Sequence, residues 1–148
     1  MVDSIEVATI NPDNIYDRLG LCWGHLPEWR DLKIVKESKK WLEGVSAVFR
    51  PTTFIAYLNG LPTGMIESVP HRLLMEVGLC PCRIDKEKGE TERRYVLGEV
   101  FSDYMFVSCL MVSKEQQGRG VGRALLHHFL KSQVFNDSDG ALVYVTER

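Results

Sequence analysis

Three glycines at alternate positions, Gly118, Gly120 and Gly122, stand between an apolar run at residues 104–112 and a helical apolar repeat that begins at Val121. Without Cβ atoms in the way, the backbone N–H groups of such a loop can approach a ligand closely. The first N–H groups of the following helix have no internal partner, and its dipole places about half a positive charge at that end. A pyrophosphate is the natural guest, with Arg119 and Arg123 adding charge. Residues 104–112 put apolar groups on both alternating faces, which predicts a central strand covered by helices from two sides. In the helix, Val121, Leu125 and Phe129 fall four apart with Leu126 and Leu130 beside them, predicting one apolar stripe that ends near Gln133.

Elements of both periods surround this unit, so the fold class is α/β. Residues 5–10 alternate as a half-solvated strand does, and Asn11-Pro12-Asp13 closes them. A helical pattern runs from Asn14 to about Val48, interrupted at Gly24-His25-Leu26-Pro27, and predicts two helices. Residues 53–58 and 63–69 are rich in β-formers and flank Asn59-Gly60-Leu61-Pro62, which predicts a hairpin. The charged run at residues 85–90 predicts an exposed insertion within residues 71–100. After Asn136-Asp137-Ser138-Asp139-Gly140 turns the chain, residues 141–145 suit a strand parallel to residues 104–112 through a right-handed crossover.

A length of 148 residues with 45% apolar side chains supports one domain, residues 1–148, around one core. The formal charge of −2 offers no basic footprint for nucleic acid or an anionic membrane. No run approaches the roughly 20 apolar residues of a bilayer span, and Met1-Val2-Asp3-Ser4 is not the start of a signal peptide, so a cytoplasmic location is expected. Cys22, Cys80, Cys82 and Cys109 are too unevenly spaced for a secreted disulfide framework, and reduced thiols are expected.

The fuller string narrows the reading. Leu110-x-Val112, then Gln117-x-x-Gly120-x-Gly122-x-Ala124-Leu125-Leu126, resembles the coenzyme A signature of the GNAT superfamily of N-acetyltransferases, with every fixed position matched. The element order resembles that family along nearly the whole chain, although the specific signal lies in about 30 residues. The resemblance implies a mixed central sheet with helices on both faces and a splayed strand pair, whose free backbone groups at Leu110, Met111 and Val112 bind the pantetheine arm. It implies that Gln117, Gly118, Arg119, Gly120, Val121, Gly122 and Arg123 hold the pyrophosphate. It further implies acetyl-CoA as cosubstrate, no metal, and direct attack of a primary amine of unknown class on the thioester, with the oxyanion held by a strand N–H.

The pattern departs from the family at two places. The family's usual tyrosine acid lies on a helix beyond the last strand seen here, and the matching segment is not in this sequence, so either a further C-terminal segment or a partner, such as a second copy in a homodimer, is expected to complete the sheet. Members that acetylate histones carry a glutamate base where Phe106 stands. Glu67, in the hairpin strand, is the candidate base, with Asp103 and His71 behind it and a water chain as the substitute.

Other residues invite duller readings. Cys80-Pro81-Cys82 lacks the second pair or histidines that a metal site needs. Cys109 is expected to be a small core residue rather than a nucleophile. His127 and His128 point to different faces of one helix, one packed and one solvated. Trp23, Trp29 and Trp41 are expected to pack, or to wall an acceptor site. A dinucleotide site would space its glycines differently and expect an acidic residue about 20 positions later. A coenzyme A-binding domain without catalysis is the rival from the binding class.

Overall fold

The computed structural model describes residues 3–48, 53–71 and 104–143. The elements run β1 (Ile5–Thr9), α1 (Ile15–Trp23), a 3-10 turn (Trp29–Asp31), α2 (Lys33–Val48), β2 (Thr53–Leu58), β3 (Leu61–Pro70) and β4 (Met105–Val112). A second 3-10 turn (Lys114–Gln116), α3 (Val121–Leu130), a single turn α4 (Gln133–Asn136) and β5 (Ala141–Leu142) follow. The five strands lie in sequence order, antiparallel from β1 to β4, with β5 parallel to β4. The mixed sheet is therefore present, with a crossover joining the parallel pair β4 and β5. Cys80, Cys82, Asp103 and the charged run at 85–90 lie outside the described residues.

Each sheet face has its own core. Phe54, Ala56, Ile66, Met105 and Val107 pack against Val121, Leu125 and Phe129 of α3. On the other side Ile10, Ile15, Leu19, Val35 and Leu42 form a second cluster, with Trp23, Trp29 and Trp41 packed on it. The hairpin forms as its turn chemistry requires, because Asn59 and Gly60 have φ of 51° and 82° and two successive left-handed residues match the strand twist. Gly64 is fixed by space. A Cβ there would stand 2.8 Å from the Met111 carbonyl oxygen and 3.1 Å from Val121 Cγ1, so only glycine lets α3 lie so close to the sheet.

The apolar stripe of α3 is narrower than its sequence pattern. Leu126 and Leu130 are each 43% exposed, while Val121, Leu125 and Phe129 are buried. A sheet packs against one side of a helix only, and positions one residue beyond the 121–125–129 row turn past its edge. The helix also stops at Leu130 rather than near Gln133. The Ser132 hydroxyl then accepts from the Phe135 N–H at 3.3 Å and starts a new turn. His128 packs edge-on to Phe54 at 4.9 Å between ring centres, and His127 is exposed.

Coverage of β4 is likewise partial. Met105, Phe106 and Val107 are buried, but Leu110 is 48% exposed. No helix of the described residues is long and apolar enough to cross a membrane.

His71 ends β3 in a buried position, and its Nδ1 has no hydrogen-bond partner among the described residues. Burial pushes its pKa below the ordinary 6.5, because the charged imidazolium is the form that desolvation penalises. The folded state thus binds fewer protons than the unfolded one. Stability contributed by the neutral ring is present above the unfolded value and is lost as pH falls below it. Urea midpoints from pH 7.5 down to about 5 should therefore fall more steeply for the native chain than for His71→Leu; parallel curves would refute the assignment.

Candidate acyl-coenzyme A site

The loop after β4 has the geometry that its glycines suggest. Gly118 and Gly120 take φ of 79° and 87°, in the left-handed region where a side chain is strained. Gly120 is the N-cap of α3, and no side chain caps it. The first intrahelical bond is Ala124 N–H to the Gly120 carbonyl at 3.0 Å. The N–H groups of residues 118–123 therefore have no acceptor among the described residues, which is the condition for holding an anion.

Three of the predicted loop side chains differ in what they do. The Gln117 amide donates to the Val112 carbonyl at 3.2 Å, so its side chain ties the loop to the end of β4 rather than reaching outward. Arg119 does not point at the vacant N–H groups. Its Nε donates to Asp3 Oδ2 at 2.9 Å, its Nη2 donates to Asp3 Oδ1, and its Nη1 donates to Gln116. The Arg119 hydrogen bonds and that of Asn59 hold the Asp3 carboxyl below its usual range. Arg119 thus spends three of its five N–H donors on Asp3 and Gln116. Arg123 is exposed and has no ion-pair partner among the described residues.

The edge of β4 leads into this loop. The Ser113 N–H donates to Thr63 of β3 at 2.8 Å and the Met105 N–H donates to Gly140, beside β5, at 2.9 Å. Alternation from these two ends turns the N–H groups of Val107, Leu110 and Val112 away from β3. Among the described residues, pairing with β5 covers only Met105 and Phe106. The Phe106–Leu142 pairing also engages the Val107 N–H, so Leu110 and Val112 present the unpaired edge, whereas the expected binding residue Met111 faces β3, opposite Met65.

An extra residue sits in the middle of this edge. Glu67 of β3 pairs with Cys109 while the next residue, Ser68, pairs with Val107, so Ser108 has no opposite number. This β-bulge reverses the alternation, and Leu110 comes to the same face as Val107.

Glu67 lies directly against the bulge. Arg18 of α1 donates to its Oε2 from Nε at 3.0 Å and from Nη2 at 2.7 Å, and Thr53 Oγ1 donates to the same oxygen at 3.4 Å. The Ser108 hydroxyl lies 3.3 Å from Oε1 and 3.2 Å from the Glu67 carbonyl. Both side chains are nearly out of water, at 12% and 7% exposure for Arg18 and Glu67. Glu67 is thus not the free carboxylate that a simple base requires, since a proton taken at Oε2 displaces arginine. Cys22 is close by, and burial raises its thiol pKa.

Arg18 and Ser108 are absent from the residues that sequence reasoning selects. A signal for the pair does exist. Arg18 falls between the buried Ile15 and Leu19, and Glu67 between the buried Met65 and Val69, so each is a charge on an inward-facing row.

On the α1 side, a cavity of about 300 Å³ is lined by Tyr16, Asp17, Trp29, Arg30, Pro62 and Ser113, among others. The Tyr57 hydroxyl donates to Asp17 Oδ2 at 2.7 Å. Burial, then this bond to a carboxylate, push the Tyr57 pKa well above the ordinary value of 10. Arg30 stacks over the rings of Tyr16 and Trp29 at 5.1 and 5.4 Å, so these aromatic faces already attract a cation.

No protein-family model and no curated protein sequence matches this chain, but solved structures do. The aminoglycoside N-acetyltransferase AAC(6')-Iy, solved with a bisubstrate analogue of coenzyme A, is 12% identical over 97% of this chain and 80% of its own, with a TM-score of 0.60. An integron cassette protein from the mobile metagenome of V. cholerae is 11% identical over 97% of this chain and 76% of its own, with a TM-score of 0.55. The diaminobutyrate acetyltransferase EctA from Paenibacillus lautus, solved with its substrate and coenzyme A, is 13% identical over 88% of this chain and 59% of its own, with a TM-score of 0.51. The architecture agrees with these structures, and the chain has the fold of the GNAT superfamily.

Proposed function

We propose that this protein is an N-acetyltransferase that moves an acetyl group from acetyl-CoA to a primary amine. The observation that carries the reading is a row of unpaired backbone donors in two parts, Leu110 and Val112 on the edge of β4 and residues 118–123 from the loop to the start of α3. A coenzyme A molecule is long, with amide groups in its arm and a pyrophosphate beyond them, and these features meet the two parts of that row in order. The Leu110 carbonyl and the backbone of Val112 would pair with the pantetheine amides as a neighbouring strand does. The N–H groups of residues 118–123 would hold the pyrophosphate, with Arg123 adding charge.

The reaction needs no covalent enzyme intermediate. The amine lone pair attacks the thioester carbon, the C–S bond breaks, and coenzyme A leaves as thiolate. The amine proton goes to water, because Glu67 is engaged by Arg18 and Ser108. On the acceptor side, Asp17 and the rings of Tyr16 and Trp29 form a wall suited to an ammonium group.

Thermal unfolding with coenzyme A, compared with nicotinamide and flavin cofactors, tests the binding part. At 100 times its dissociation constant, coenzyme A should add about 2.7 kcal/mol of stability, and the other cofactors nothing. Thiol release from acetyl-CoA in the presence of an amine library tests the transfer. Binding without release by any amine would favour the non-catalytic reading instead.

A further inference from the structure

From the contacts around the β4 bulge, we propose that Arg18, Glu67 and Ser108 form a positioning device that aims the edge N–H of Leu110 at the thioester carbonyl. This rests on the acyltransferase reading and assigns Glu67 a role other than proton acceptor.

The bulge is the one place where β3 does not dictate β4. Ser108 is opposed by no β3 residue, so the ladder alone leaves its dihedrals less determined than those of its neighbours. What fixes it is its side chain, through the Oγ contacts to Glu67 Oε1 and to the Glu67 carbonyl. Glu67 is in turn held by two donors of Arg18 from α1 and by Thr53 from β2. Four elements thus converge on the residue that separates the β5-paired stretch of β4, ending at Val107, from the open edge N–H of Leu110.

The location argues against simple packing. A buried ion pair is rarely the most stable filling for such a space, since apolar side chains of like volume serve stability at least as well. Its distinctive property is direction, because a forked guanidinium and a hydroxyl admit a narrow range of angles. Direction matters at an oxyanion site, where a donor must meet the oxygen at hydrogen-bond distance as charge develops. A one-residue bulge whose angles drift would move the Leu110 donor with it.

The carbonyl itself reports the outcome. Isotope-edited infrared spectra of acetyl-CoA labelled at the acetyl carbonyl should show a lower stretching frequency on the native protein than in water. Ser108→Ala and Glu67→Gln should each return more than half of that displacement, while Ser108→Thr, which keeps the hydroxyl, should retain it. Dissociation constants for acetyl-CoA should stay within about threefold of native for all three variants, since the arm and pyrophosphate contacts are untouched. A frequency in Ser108→Ala equal to that of the native protein overturns the proposal. So does a loss of affinity in step with the loss of displacement, which marks a structural role. Failure of the native protein to bind acetyl-CoA is a different result and withdraws the acyltransferase reading along with the device.

Discussion

Arg18→Met is expected to cost about 3–5 kcal/mol of folding stability, since it strands the Glu67 carboxylate in a place that water hardly reaches. The size follows from the burial. With Arg18 and Glu67 only 12% and 7% exposed, solvent cannot replace the missing guanidinium. Were the pair on the surface, the same change would cost about 1 kcal/mol or less. The double variant Arg18→Met with Glu67→Leu should recover most of the loss, because both charges are then gone and apolar volume fills the space. Urea unfolding at pH 7 measures both, read from the midpoints with the slope unchanged. Equal losses in the single and double variants would show that the pair is not the source of the effect.

Gly120→Val is expected to remove coenzyme A binding while leaving a folded, less stable protein. Holding a β-branched residue at φ near 87° costs about 1–3 kcal/mol. The alternative is for the loop to relax, which turns its N–H groups away from one another. Losing two charge-assisted hydrogen bonds of about 1.5 kcal/mol each weakens binding by roughly a hundredfold. Gly122→Ala is the matched control. Its Cβ would stand 3.6 Å from Val112 Cγ2, an ordinary contact, at a helical position where alanine is favoured over glycine. Titration calorimetry with coenzyme A on the folded fraction separates the two, and native affinity in Gly120→Val would refute the loop assignment.

Local chemistry made the central part of this fold legible. Asn59-Gly60 specified the hairpin because two left-handed residues are costly for most other pairs, and the alternate glycines before Val121 specified the loop for a similar reason. The four-residue spacing of Val121, Leu125 and Phe129 located the buried face of α3. Leu126 and Leu130 misled because composition does not tell how wide a face the sheet covers. Run 104–112 misled in a different way. A strand with apolar residues on both faces looks much the same with and without a bulge, so the lone polar Ser108 does not by itself reveal the reversal there.

Contacts between distant residues were beyond the reach of spacing. Arg18 and Glu67 are 49 positions apart, and Arg119 and Asp3 are 116 apart. Either partner alone shows only that a charge stands in an unusual place. Glu67 was therefore found as a candidate, but its occupation by Arg18 and Ser108 needed the assembled sheet.

The clasp between Asp3 and Arg119 joins the entrance of β1 to the crest of the glycine loop. Among the described residues β1 is the outermost strand, bonded along one side only, and peripheral strands are the first to fray in a native ensemble. Whenever those first residues peel off, Arg119 loses its anchor and the crest gains freedom. Breathing at one border of the sheet is thereby transmitted to the opposite reach of the chain, where the coenzyme would sit.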